Sequence, residues 1–185
     1  MSRPGTCRKS GARPITKEGS TTMIAHVVGI DPGLVDTGCV SLVFRPNLRS
    51  LIIEHEVVSG TNADAVKGWV FHPSRPATKY IYIEQYRPRL KLDSDQRMVQ
   101  AEAELRKALP DAKVLPNMGI KRVIPQTLME VFDVWSWPTV THHQDLRSAA
   151  RIALLGMVKE PRLNAVMADV VRDHLEGRPW NVAHG

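Results

Sequence analysis

The chain reads as an α/β protein built on a mixed five-stranded sheet, with three antiparallel strands followed by parallel strands and helices flanking the faces. Three observations carry that reading. The segment from Ile24 to Ile30 (IAHVVGI) is a nearly continuous apolar run that stops at Asp31-Pro32-Gly33, the pattern of a buried strand with a turn behind it. Two further strand-like runs follow, joined by the short turn-rich connections PGLVDTG and RPNLRS, as in an antiparallel meander. Strand and helix patterns then alternate, which requires crossovers and a parallel part of the sheet.

The elements follow in order. Cys39 to Phe44 and Leu51 to Val58 are the second and third strands, and residues 62–72 form a short helix that ends near Pro73. Lys79 to Glu84 (KYIYIE) is a β-rich run with a carboxylate at its end. Asp93 or Ser94 caps a helix that runs to about Leu109, with Met98, Ala101, Leu105 and Leu109 on one stripe and Pro110 as the stop. Ala112 to Leu115 is a short strand, and Pro125 to Val134 a helix. Thr141 caps the next helix, whose apolar face holds Leu146, Ala149, Ala150, Ala153, Leu154 and Met157. Pro161 opens a last amphipathic helix with Leu163, Val166, Met167, Val170, Val171 and Leu175 inward, closed by Gly177. Right-handed crossovers bring the later strands beside the first.

Composition narrows the class. With 185 residues, 43% of them hydrophobic, the chain suits one domain with its own core. No apolar run approaches the roughly 18–20 residues that span a bilayer, so no membrane role is expected. No secretory signal pattern opens the chain. Cys7 and Cys39 are too few for a disulfide framework or a four-cysteine zinc site, which suits a reduced, cytoplasmic setting. The net charge of +6 is uneven: residues 1–22 carry Arg3, Arg8, Lys9, Arg13 and Lys17 against Glu18 alone, a net +4. Those 22 residues lack a face to bury and read as a disordered basic arm or extension, or as sequence upstream of a start at Met23. The domain proper then spans 23–177, and 178–185 is a tail. Since the body is nearly balanced, a basic pI alone argues little for nucleic acid.

Two carboxylates stand where chemistry is expected. Asp31 and Glu84 each follow a buried strand directly, and parallel neighbours would bring both to one edge of the sheet. Ligand sites of open α/β sheets lie at that carboxyl edge. His142 and Asp145, three apart at a helix start, share a face and can reach the same place. Hard oxygen ligands suit Mg²⁺ or Mn²⁺, and an imidazole is better tolerated by Mn²⁺. Each residue has a plainer reading: Asp31 as a turn former, Glu84 paired with Arg87 or Arg89, Asp145 favouring the helix dipole, and His142 and His143 in solvent or capping.

The segments VVGIDPG, IYIEQYRPR and HHQDLRSAARIAL, taken in order, resemble the RuvC family of Holliday junction resolvases, above all the RuvC-like proteins carried by bacteriophages. The resemblance runs from about Ile24 to Val158 and implies an RNase H-like fold, with 23–177 as a nuclease domain. It implies that Asp31, Glu84, His142 and Asp145 hold two divalent ions, with His143 the rival to His142. The ions, about 4 Å apart, would clamp a phosphate while a bound water attacks in line, leaving 5′-phosphate and 3′-hydroxyl ends. Arg87, Arg89 and Lys91 then lie near the cut site as phosphate contacts, with Lys121 and Arg122 as a second basic cluster and Tyr86 placed to stack on a base. Arg147 and Arg151 face either DNA or solvent. The partner is four-way or branched DNA, met by a homodimer whose two-fold symmetry suits paired incisions.

Other readings stay open at this stage. A nuclease of the same fold acting on RNA–DNA hybrids or other branched DNA would show the same acidic set. A catalytically weakened junction-binding protein is a further alternative, since histidine stands where many relatives have aspartate. The turn GIDPG also resembles the phosphate turn of actin-like kinases and chaperone ATPases. Those proteins need two such domains and a second phosphate turn, so no nucleotide cofactor is expected.

Overall fold

The computed structural model describes residues 24–76, 79–88, 93–136 and 143–185. Strand β1 (Ala25–Asp31) pairs antiparallel with β2 (Asp36–Arg45), and β2 with β3 (Ser50–Ser59). Helix α1 (Ala63–Val70) follows, its first turn capped by the Asn62 side chain, which accepts from the Ala65 amide at 3.0 Å. Strand β4 (Tyr80–Gln85) returns parallel to β1 on its free side. Helix α2 (Asp93–Ala108) then leads to β5 (Lys113–Pro116), parallel to β4. Short helices α3 (Ile120–Val123) and α4 (Gln126–Val131) precede the long α5 (His143–Lys159) and α6 (Pro161–Leu175).

Among the described residues the sheet has six strands, not five, in the order β5-β4-β1-β2-β3-β6. The sixth, β6 (Asn181–His184), lies in the stretch expected to be a tail and pairs parallel with β3. Four residues of mixed polarity carry no strand pattern of their own. Their place is set by Trp180, which is buried against Phe44, and by the Arg49 carbonyl, which accepts the Asn181 amide at 2.8 Å.

Alternation along the strands sends two sets of side chains to opposite faces. On one face Val27, Val40, Leu42, Phe44 and Leu51 pack under α5, whose Leu146, Ala149, Ala150, Ala153, Leu154 and Met157 are all buried, as the periodicity predicts. On the other, Val28, Ile30, Cys39 and Ile83 pack against α1 and against Leu105 and Leu109 at the end of α2. Leu175, expected inward, is 80% exposed at the last position of α6. The expected helix from Pro125 to Val134 is shorter and is preceded by α3. Thr141, the expected cap of α5, lies outside the described residues.

Helix α5 approaches the sheet unusually closely. A Cβ placed on Gly29 would stand 2.0 Å from the Ala149 carbonyl oxygen, and one on Gly38 would stand 2.6 Å from that of Asp145. Hydrogen at these two positions lets the helix backbone rest on the strands.

Candidate active site

Asp31 ends β1, and Glu84 is the penultimate residue of β4. These strands run parallel with Ile30 opposite Ile83, so the two carboxylates lie one step further along, at the same carboxyl edge. Across the antiparallel pair, Asp31 is opposite Gly38, and Gly38 is the residue on which the Asp145 backbone rests. Asp145 occupies the first turn of α5. Three acids far apart in the chain therefore meet through two strand pairings and one helix-on-glycine contact.

The electrostatics confirm that proximity. Burial pushes the Asp31 carboxyl well above its ordinary value, and the negative charges of Glu84 and then Asp145 push it further. Asp31 hydrogen-bonds Glu84, and the Ser148 hydroxyl, one turn beyond Asp145, donates to Asp31 and opposes the rise. Glu84 is also raised by burial, against hydrogen bonds from the Asn117 amide and from Asp31.

Three converging carboxylates, with Asp31 raised by the charges of the other two, form a donor set that a hard divalent cation would relieve, and carboxylate oxygens suit Mg²⁺ or Mn²⁺. Among the described residues, no three histidine, cysteine, aspartate or glutamate side chains are arranged as a ready-made ion cage. The fit therefore lies in charge and donor chemistry rather than in a closed geometry. His142 lies outside the described residues, and His143 opens α5 with its side chain likewise outside them.

Beside Glu84 opens a cleft of about 620 Å³, lined among others by Tyr86, Arg87, Asn117, Met118 and Lys121. Arg87 is exposed there, its guanidinium 3.9 Å from the Met118 sulfur, and does not pair with Glu84. Lys121 reaches the cleft from α3, and Arg122 is exposed on the same helix. Arg89 and Lys91 lie outside the described residues. Tyr86 is tied down towards α2: its amide donates to Glu102 at 2.8 Å, and its hydroxyl donates to Asp95.

Arg147 and Arg151 take neither of the expected roles. Both guanidinium groups lie over the Trp135 ring, at 4.2 and 5.4 Å, and Arg147 donates to the Trp135 carbonyl. They hold Trp135 against α5. Sequence reasoning also missed Ser148 and Asn117. The three-residue spacing from Asp145 was the available signal for Ser148, whereas Asn117 reads from sequence only as part of a turn.

A mixed sheet with three antiparallel and then parallel strands, carrying acids at the carboxyl edge of its first and fourth strands, belongs to the RNase H-like class of α/β folds. No protein-family model matches the chain, and no curated protein does. Solved structures do match: the fold is that of RuvC. "T. thermophilus RuvC in complex with Holliday junction substrate" aligns with a TM-score of 0.52 at 16% identity, covering 70% of this chain and 90% of that one. A second Thermus thermophilus RuvC structure aligns with a TM-score of 0.50 at 18% identity, covering 77% and 97%. Among the described residues no helix is long and apolar enough to cross a membrane.

Proposed function

We propose that this chain is a metal-dependent, structure-selective endodeoxyribonuclease that resolves four-way DNA junctions, leaving 5′-phosphate and 3′-hydroxyl ends. One observation carries the reading. Asp31, Glu84 and Asp145 converge beside a cleft lined by Arg87 and Lys121, on a fold shared with a RuvC whose structure holds a Holliday junction.

Asp31, Glu84 and Asp145, with His142 or His143, would hold two Mg²⁺ or Mn²⁺ ions. Such ions supply an activated water and stabilise the departing oxygen. Asp31 would be the central ligand, since its carboxyl adjoins both other acids, and the Ser148 hydroxyl would help orient it. Arg87 and Lys121 draw a phosphate towards an acidic site that would otherwise repel it. Arg122, exposed on the same helix as Lys121, extends this basic track, and Arg89 and Lys91, close to Arg87 in the sequence, would add phosphate contacts that position DNA without reading its sequence. A homodimer would match the approximate two-fold symmetry of the junction with two sites. The buried free thiol of Cys39 suits a reducing cytoplasm, that of a host bacterium if the chain is phage-encoded.

The test incubates the protein with a labelled four-way junction, a matched duplex and an RNA–DNA hybrid, in Mg²⁺ or Mn²⁺. Paired incisions in the junction are expected, absent from Asp31→Asn. Cleavage of the hybrid alone would move the assignment to a ribonuclease. An Asp31→Asn protein that cuts like the parent would remove the acidic site from the reaction.

A further inference from the structure

We propose that Asn117 is a positioning residue for Glu84: its neutral amide holds one carboxylate oxygen and leaves the other presented to a divalent cation. The proposal rests on the nuclease reading above and adds a residue to it.

The placement follows from the sheet. β5 runs parallel to β4 with Leu115 opposite Glu84 and Pro116 opposite Gln85, so residue 117 leaves the sheet at the edge where Glu84 stands. The Asn117 Nδ2 donates to Glu84 Oε1. The base of this contact is firm. Pro116 precedes it with a restricted backbone, and the Asn117 carbonyl accepts the Ile120 amide at 3.0 Å, closing the turn into α3.

The chemistry of the amide matters as much as its position. Glu84 has three side-chain torsions, and an unrestrained glutamate loses that freedom when it binds an ion. A hydrogen bond made beforehand removes part of the cost. Arg87 or Lys121, which line the same cleft, would cancel the charge if either took this place. An amide restrains the carboxylate without neutralising it. Asn117 is exposed, so burial does not oblige it to find a partner. Supporting partners of this kind typically change metal affinity by about 10–100-fold.

The experiment titrates the full chain with Mn²⁺ alone, without DNA, by calorimetry. Asn117→Ala is expected to weaken Mn²⁺ binding by roughly tenfold or more, with unchanged unfolding temperature. Parent-like Mn²⁺ affinity in Asn117→Ala would overturn the proposal and leave the nuclease reading standing. So would a fall in unfolding temperature that parallels the lost affinity. If the parent neither takes up Mn²⁺ nor cuts a junction, the nuclease reading fails and this proposal fails with it.

Discussion

Gly38 lies directly beneath Asp145: a Cβ built on Gly38 would stand 2.6 Å from both the carbonyl carbon and the carbonyl oxygen of Asp145. Gly38 is also the cross-strand partner of Asp31. The separation between a strand carboxylate and a helix carboxylate is thus set by the thickness of one glycine. Gly38→Ala should push the first turn of α5 off the sheet. Urea unfolding should show a loss of about 1–3 kcal/mol, as overpacking typically costs, and junction cleavage should fall more steeply than stability. Gly68→Ala in α1, where an added methyl meets nothing, should be neutral or stabilising by up to about 1 kcal/mol. A Gly38→Ala protein as stable and active as the parent would show that the close contact does not matter.

Crowding among Asp31, Glu84 and Asp145 makes a second prediction. Without metal, the site stores like-charge repulsion, so Asp31→Asn and Glu84→Gln should not lower the unfolding temperature in EDTA and should raise it modestly. Cleavage should drop to background while junction binding persists, since Arg87 and Lys121 are untouched. Added Mn²⁺ should raise the unfolding temperature of the parent and not of the variants. Thermal scans with and without Mn²⁺, paired with gel-shift titrations, read all three effects. Loss of junction binding in both variants would contradict the assignment.

Asp31 and Glu84 were legible in the sequence because an apolar run ending in a carboxylate is costly unless that carboxylate has a task or a partner. The inward face of α5 was legible because its period is strict. What escaped depends on partners remote in the chain. β6 is strand because Trp180 finds Phe44 and Asn181 finds Arg49, and no local pattern encodes either contact. Arg147 and Arg151 look like solvent or phosphate residues until Trp135 folds beneath them. Tyr86 has the composition of a stacking residue, yet Asp95 holds its hydroxyl.

Asp173 of α6 holds the added edge strand in place. It accepts from the Trp180 indole at 3.1 Å and from Arg178 at 3.1 Å, and Arg49 of the β2–β3 turn lies 3.2 Å away. Burial by itself would raise this carboxyl, but the indole and the arginines outweigh burial and hold it below its ordinary value. Asp173→Ala should therefore release β6 selectively. Hydrogen exchange at Asn181–His184 should accelerate strongly, while amides of β1 and β4 keep their protection. Uniform loss of protection across the sheet would mean that Asp173 supports the whole core instead.

The last prediction concerns pH and His26. Its Nε2 lies 2.8 Å from the Ser41 hydroxyl on the buried face of β1 and β2. Burial lowers its pKa from 6.5 to about 4, opposed by the nearby Pro76 backbone and assisted by Lys79 and Arg75. The native protein therefore stays neutral at His26 while the unfolded chain takes up a proton. Stability from this group is intact above pH 6.5, falls as pH drops towards 4, and falls no further below that. The full loss is about 3 kcal/mol from the size of the shift. His55, also lowered by burial, acts in the same direction. Asp31 and Glu84, both raised, act in the opposite one, because the native state holds their protons more tightly than the unfolded chain does. The decisive comparison is therefore parent against His26→Gln, which keeps a polar group near Ser41 and cannot titrate. Urea unfolding at pH 7 and pH 4.5 should show the parent losing about 2–3 kcal/mol more than the variant. Equal losses would mean that His26 protonates in the folded protein as easily as in water.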